Sequence, residues 1–137
     1  MIKMKEEQLS VEQQTLERLN FASAGLGKAI INSEPYNNFI KARNRFRIDE
    51  SAKDASMEYN TVLRDYQMRA NYGGLTSDDE KIIEEARKKA MGNNVLRDSH
   101  TSQEKLIGLY QEVNEYLSEK LKFNFAELAK PAGGCCG

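Results

Sequence analysis

Two adjacent cysteines, Cys135 and Cys136, are the residues of this chain with the most evident capacity for chemistry. Glycines flank the pair, so the backbone there is free to turn and both thiolates could reach one metal ion. Two thiolates do not complete a zinc site or an iron–sulfur cluster, which take about four ligands, but two chains side by side would supply them. A disulfide between the neighbours would be strained. The residues alone favour a simpler interpretation, an exposed pair in a flexible tail at residues 130–137.

No other arrangement of residue types predicts catalysis. His100 is the single histidine and has no cysteine or carboxylate cluster at ligand spacing, which makes it a poor metal candidate. The sequence has no Ser/His/Asp order, no phosphate-binding glycine loop and no Glu-x-x-His pair. The sequence therefore predicts a protein that is not an enzyme.

The one basic run of the chain comprises Lys41, Arg43, Arg45 and Arg47 in a predicted helix. Residues two apart in a helix do not share a face, so Lys41 and Arg45 lie roughly opposite the other two. Solvated charge with one or two snorkelling arginines explains the run better than a nucleic-acid stripe. Because 20 basic residues balance 21 acidic ones, no global field attracts the chain to nucleic acid or anionic lipid. We expect no direct nucleic-acid binding and no membrane partner.

Arg43 lies in the middle of the apolar face of its helix, between Phe39 and Phe46 on one side and Ile40 and Tyr36 on the other. Burying a guanidinium there without a partner would cost several kcal/mol. We therefore expect Arg43 to form an ion pair at an interhelical seam, the alternative being a ligand role in which it binds a partner's acid. The carboxylate would come from Asp49, Glu104, Glu112 or Glu115.

A long helix predicted over residues 94–121 is the element on which the others must pack. Its apolar residues recur at steps of three and four, over roughly 40 Å and about half of the circumference. One neighbouring helix cannot cover so wide a face. It needs two, or one and a second subunit, so we expect a homodimer or a larger assembly. The candidate contacts are Leu109, Tyr116 and the edge near Ile107.

Capping and stop signals predict four helices before the long one. The first begins with Ser10 as its N-cap and runs to about residue 32, and the second spans 34–47 after Ser33. The third follows Asp49 to about residue 71, and the fourth follows Thr76 to residue 91. We expect a short turn over 123–128 after the long helix, with its Phe side chains folded back onto the domain. The sequence thus predicts an all-α fold, an antiparallel helical bundle of about five helices with a long C-terminal helix and a flexible Cys-containing tail.

Length and composition predict one helical domain. Of the 137 residues we expect 1–9 to be flexible, 10–129 to form a single domain and 130–137 to be the flexible tail. We expect no signal peptide, because residues 1–8 contain no apolar core of signal-peptide length, and no run in the sequence reaches transmembrane length. Since both cysteines are adjacent, there is no secreted-type disulfide framework, and we expect a soluble cytoplasmic protein.

Several short stretches in a fixed order resemble a known family. They are Leu-Gly-Lys-Ala-Ile at 26–30, Ser-Glu-Pro-Tyr at 33–36, Lys-Ala-Arg at 41–43, Asp-Glu-Ser-Ala at 49–52, Gly-Gly-Leu-Thr at 73–76, Asn-Asn-Val-Leu at 93–96 and Val-Asn at 113–114. With the ending Phe-Asn-Phe-Ala at 123–126 and Cys-Cys-Gly at 135–137, this order resembles the YlbF/YmcA-like family of small helical bacterial and archaeal regulators. The resemblance spans about residue 20 to the end.

The resemblance implies a non-enzymatic, all-helical protein that self-associates. Some members join paralogues in a complex that acts with an endoribonuclease in messenger-RNA processing and developmental control. Members with cysteine-rich C-termini are associated with iron–sulfur clusters, and Cys135 and Cys136 are the positions to which this carries over. This chain has fewer cysteines than such members, which argues against a cluster within one chain.

Two hypotheses follow. In the first, the protein is a regulatory adaptor without a cofactor, whose helices bind copies of itself, paralogous family members and an endoribonuclease, in a complex modulating RNA processing and developmental gene expression. In the alternative, it is a metal- or redox-responsive protein that uses Cys135 and Cys136, with an iron–sulfur cluster shared between chains as its cofactor.

Overall fold

The computed structural model of this chain describes the backbone of residues 2–131 and the side chains of residues 10–131. The helices in this part are α1 (Ile2–Ile31), α2 (Glu34–Ile48), α3 (Glu50–Gly73), α4 (Ser77–Met91), α5 (Asn94–Leu121) and α6 (Phe125–Leu128). These residues contain no strand, so the predicted all-α fold is confirmed. The long helix has the predicted bounds, and α2, α3 and α4 agree with theirs to within two residues.

The first helix begins earlier than predicted. α1 starts at Ile2, so Ser10 lies inside the helix and the prediction of Ser10 as its N-cap is wrong. Residues 3–9 are Lys, Met, Glu, Gln and Leu, which all favour helix, and no Gly or Pro interrupts them. The flexibility expected for residues 1–9 stays a prediction.

The chain divides into two compact units, residues 1–37 and residues 38–137. The first unit contains α1 and the first turn of α2. Ser33 separates these helices, and its Oγ accepts a long hydrogen bond of 3.4 Å from the backbone N–H of Tyr36, at the start of α2. The second unit contains the rest of α2 and the four helices after it. A single domain over 10–129 stays a prediction.

Side-chain caps fix where the helices of the second unit begin. Asp49 and Asn93 each accept a hydrogen bond from the backbone N–H three residues on, at 2.8 Å and 3.0 Å. Thr76 and Asp79 form a reciprocal capping box at the start of α4. Each cap satisfies N–H groups that have no partner inside the helix. The caps predicted at Asp49 and Thr76 are therefore confirmed.

α3 and α4 form an antiparallel hairpin. Near its turn, Arg69 Nη1 lies 2.9 Å from Asp79 Oδ1. Farther from the turn, Lys89 Nζ lies 2.7 Å from Glu58 Oε2. From the first pair to the second, the residue number falls along α3 and rises along α4, as antiparallel packing requires. α5 packs against both helices of the hairpin.

The core of the second unit is built from small residues. The buried apolar residues are Ala42 of α2, Ala52 of α3, Ala90 of α4 and Leu106 of α5. Alanines let helix backbones approach closely, but each removes little apolar area from water. Among the described residues, no large side chain is fully buried. Many of the large apolar side chains of this unit therefore lie outside the core.

Candidate interaction surface

The described residues do not include the predicted metal ligands, and they offer no other metal site. Cys135 and Cys136 lie outside the described residues. His100 is exposed, and its Nδ1 lies 3.5 Å from Glu104 Oε1 on the same helix. Within the part of the chain that the structure describes, no group of three or more His, Cys, Asp or Glu side chains could hold a metal ion. Metal binding by the cysteines stays a prediction.

The ion pair predicted for Arg43 is not formed between residues 10 and 131, where Arg43 is exposed, so this prediction is wrong for the single chain. The reason is that the side of α2 that faces α5 carries Ala42 and not Arg43. Ala42 is the buried residue of α2, and it lines a groove together with the buried Ser102 of α5. Successive helix residues are about 100° apart, so Arg43 points away from α5. The cation that meets an acid of α5 is Arg45, whose Nη1 lies 3.6 Å from Oδ2 of Asp98.

α5 keeps large apolar side chains exposed along one edge. Ile107, Tyr110 and Leu121 are 45 %, 44 % and 45 % exposed. At 3.6 residues per turn, these three lie within about 60° of the helix circumference. Leu106, on the adjacent face, is buried. α5 therefore has one side in the core and, next to it, an apolar edge that stays open to solvent.

The predicted oligomer contacts lie on two flanks of α5 rather than on one. Ile107 belongs to the open edge, whereas the half-buried Leu109 and the exposed Tyr116 lie on the other side of Leu106. Lys120 Nζ lies 5.5 Å from the centroid of the Tyr116 ring and covers part of it. The role of Ile107, Leu109 and Tyr116 as oligomer contacts stays a prediction.

Polar side chains of α5 hold the short helix α6 beside the open edge. Lys122, in the left-handed conformation with φ 63°, ends α5 and reverses the chain. Asn114 Oδ1 then accepts a hydrogen bond from the backbone N–H of Ala126 at 2.9 Å. Ser118 Oγ accepts one from the backbone N–H of Phe125, also at 2.9 Å. The first N–H groups of α6 are thus satisfied by side chains of α5.

α6 and the turn before it extend the apolar edge of α5. The expected turn over 123–128 is present, but its large apolar side chains are not folded away from water. Phe123, Phe125 and Leu128 are 46 %, 42 % and 76 % exposed. We call the six residues of the edge and the turn the C-terminal surface: Ile107, Tyr110, Leu121, Phe123, Phe125 and Leu128.

α1, considered within its own unit, also exposes large apolar side chains. Along the helix they recur over six turns at 40–84 % exposure: Val11, Leu16, Leu19, Phe21, Leu26 and Ile31. Such a run differs from singly scattered apolar residues, which are normal on protein surfaces. α1 is therefore a second candidate interaction surface.

The sequence did not identify Asn114 and Ser118 as the residues that hold α6. Their spacing of four places them on one face of α5, but this spacing by itself does not show what their side chains bind. The partners of their oxygens lie beyond a chain reversal, so no local pattern marks them.

No helix in the described residues is both long and apolar enough to cross a membrane. A comparison with curated proteins gives no match. Among solved structures, the chain is similar to a chain of the crystal structure of Bacillus subtilis RicA in complex with RicF. The sequences are 20 % identical, the TM-score is 0.60, and the match covers 82 % of this chain and 97 % of that chain. At this identity the likeness shows a shared fold.

The sequence model that matches this chain extends over most of its helices. It is described as control of competence regulator ComK, YlbF/YmcA, and it matches residues 22–122, from within α1 to the residue that ends α5. A match of this extent shows membership, as the resemblance of the short stretches predicted. The chain belongs to the YlbF/YmcA family.

Proposed function

We propose that this protein is a non-enzymatic regulatory adaptor that binds other helical proteins through exposed apolar helix faces. The observation that carries the proposal is the C-terminal surface, whose six large apolar residues are 42–76 % exposed. They lie on three adjoining elements, α5, the turn after it and α6, and such a concentration of exposed large apolar side chains is typical of a protein–protein interface. The similar chain of known structure was solved as a complex of two proteins, RicA and RicF, which supports a protein partner for this chain.

The energetics indicate that one surface does not suffice for a stable complex. Burying a fully exposed Leu, Ile or Phe side chain contributes about 1.5–3 kcal/mol. The side chains of the C-terminal surface are on average about half exposed, so covering all six contributes on the order of 6 kcal/mol. Association itself costs about 4–15 kcal/mol of lost translational and rotational freedom. We therefore infer that the assembly also buries the flank with Tyr116 or part of the exposed apolar run of α1.

We propose two kinds of helical partner, a second copy of this chain and paralogous members of its family. By its family resemblance, we further propose that the assembly acts with an endoribonuclease to modulate RNA processing and developmental gene expression. In this proposal the adaptor presents surfaces and contributes no catalytic residue.

Sedimentation velocity of the full chain, alone and mixed with family paralogues from the same cell, tests the proposal. Ile107→Glu places a charge in the C-terminal surface and should reduce the associated fraction at micromolar concentration. Gln67→Glu is a matched control, because it adds the same charge at an exposed position of α3. A wild-type chain that remains monomeric at micromolar concentration, both alone and with each paralogue, would contradict the proposal. Equal effects of the two substitutions would also contradict it.

A second candidate function rests on the adjacent cysteines in the sequence. We propose as the alternative a metal- or redox-responsive protein in which Cys135 and Cys136 of two chains share an iron–sulfur cluster. An ultraviolet–visible spectrum after anaerobic purification distinguishes the two functions, since a cluster absorbs in the visible range and an adaptor without cofactor does not. The double variant Cys135→Ser/Cys136→Ser should abolish that absorption, and a spectrum unchanged by the substitutions would refute the assignment.

A further inference from the structure

A groove between α2 and α5 is lined by four cationic side chains. It has a volume of about 460 Å³, within the range of ligand sites, and it lies wholly in the second unit. α2 contributes Lys41 and Arg45, and α5 contributes Arg97 and Lys105. One acid, Asp98, also lines it, so the lining carries a net charge of +3 (four cations less one carboxylate).

The floor of the groove is formed by small side chains. It includes Ala42 and Ser102, which are both buried. The hydroxyl of Ser102 donates to the backbone carbonyl of Ser99 at 3.0 Å, so its proton is already used. No aromatic and no large apolar side chain lines the groove. It therefore offers no pocket for the apolar anchors of a bound peptide helix and no platform for a stacked base.

The carboxylates of the described residues offset the cations of the groove only in part. Arg45 lies 3.6 Å from Asp98, beyond hydrogen-bond distance, and both side chains are largely exposed, so this pair is weak. Arg97 donates a hydrogen bond of 2.9 Å to the neutral amide oxygen of Asn94. Among the described residues, Lys41 and Lys105 have no carboxylate within 4.0 Å. Glu104, next to Lys105 in the sequence, lies 3.5 Å from His100 Nδ1.

We propose that this groove binds an oligophosphate anion, supplied either as a free polyphosphate or as the backbone of a single-stranded RNA. The planar forks of two arginines can each bind a phosphate with two hydrogen bonds, and the lysines add point charges around it. The sequence predicted no nucleic-acid binding because the net charge is balanced and the basic run was considered on α2 alone. Lys41 and Arg45 do share a face of that helix, and α5 adds two more cations on the other side of the groove. This proposal goes beyond the adaptor function and does not depend on it.

Isothermal titration of the full chain with sodium triphosphate at low ionic strength tests the proposal. The double variant Lys41→Gln/Lys105→Gln removes two exposed cations from the groove, and its affinity should fall roughly tenfold. Lys81→Gln/Lys88→Gln removes the same charge from exposed positions of α4 that do not line the groove, and its affinity should change less than about twofold. Circular dichroism melts check that all three proteins are equally folded.

Each outcome of the titration decides the proposal. A tenfold loss confined to the groove variant supports it. Equal losses in both variants, or no binding of triphosphate by the wild type at millimolar concentration, overturn it. Two competition arms then identify the source of the anion: a twelve-nucleotide oligouridine that displaces triphosphate indicates an RNA backbone, and one that does not indicates a free polyphosphate. A hexaglutamate peptide that binds more tightly than either, with the same dependence on Lys41 and Lys105, overturns the assignment to phosphate.

Discussion

The anchoring of α6 by two side chains of α5 gives a prediction that can be quantified. Asn114 Oδ1 and Ser118 Oγ each accept a backbone N–H of α6 at 2.9 Å. A hydrogen bond of this kind contributes about 1 kcal/mol net. Because α6 has four residues and buries none of them, few other interactions hold it in place. Removing these acceptors should therefore release α6 while the rest of the unit stays folded.

We expect Asn114→Ala to lower the population of docked α6 about fivefold relative to the undocked state, which corresponds to about 1 kcal/mol. The double variant Asn114→Ala/Ser118→Ala should lower it about thirtyfold. Native-state hydrogen exchange measures this directly, through the protection of the Phe125 and Ala126 amides. Asn60→Ala is the control, since Asn60 is exposed on α3 and makes one long side-chain hydrogen bond, of 3.5 Å.

Two results would refute this reasoning. The amides of Phe125 and Ala126 could exchange in the wild type as fast as unstructured amides, in which case the two side chains do not anchor α6. Alternatively, Asn60→Ala could reduce their protection as much as Asn114→Ala does, in which case the effect would not come from the contacts with α6.

Three further outcomes follow from the packing and charges. Ala52 is 0 % exposed, so Ala52→Leu should overpack the core and lower the free energy of unfolding in urea by about 1–3 kcal/mol, whereas Ala70→Leu at an exposed site of α3 should not. The backbone N–H and then the hydroxyl of Thr76, with Arg69, hold the pKa of Asp79 below 3.8. The resulting stability is present above that ordinary pKa and is lost as the pH falls through the lower folded-state pKa. As the pH falls through this range, the free energy of unfolding measured in urea should therefore decrease more for the wild type than for Asp79→Asn. If folding is coupled to association, a hundredfold rise in protein concentration should raise the Tm by several degrees, and a constant Tm would contradict it.

The sequence predicted the helices well because the signals that bound them are local. Asp49 and Thr76 cap helices whose first N–H groups lie three residues away, so a short stretch holds all of the information. The bounds of α5 likewise follow from its apolar periodicity, which begins after Asn93 and continues without a break to the residue before Lys122. The start of α1 was missed since Ser10 has the residue type of a cap but has helix-forming residues on both sides.

The sequence predicted the interactions between helices less well, because periodicity shows that a helix has an apolar face but not which neighbour covers it. On α2 the aromatic face was taken as the buried one, and Arg43 was assigned a partner within it. In the structure the aromatic residues of this face are only half-buried, and the buried residue is Ala42, about 100° round the helix from Arg43. The arginine that meets an acid of α5 is Arg45, which lies near Asp98. A small residue such as Ala42 can be buried although it adds little to any hydrophobic pattern. Which residue of α2 is buried depends on how the helices of the whole unit pack, and periodicity along one helix does not show this.

The three faces of α5 have separable consequences for the proposals. Leu106 faces the core, Ile107 belongs to the C-terminal surface, and Lys105 belongs to the cationic groove. These neighbouring residues point in directions about 100° apart, so each can be changed without touching the partners of the others. Substitutions that share no partner usually have additive effects. Loss of association in Ile107→Glu with triphosphate binding intact, and the reverse in Lys105→Gln, would therefore show that one helix holds two independent sites on opposite flanks of its buried face.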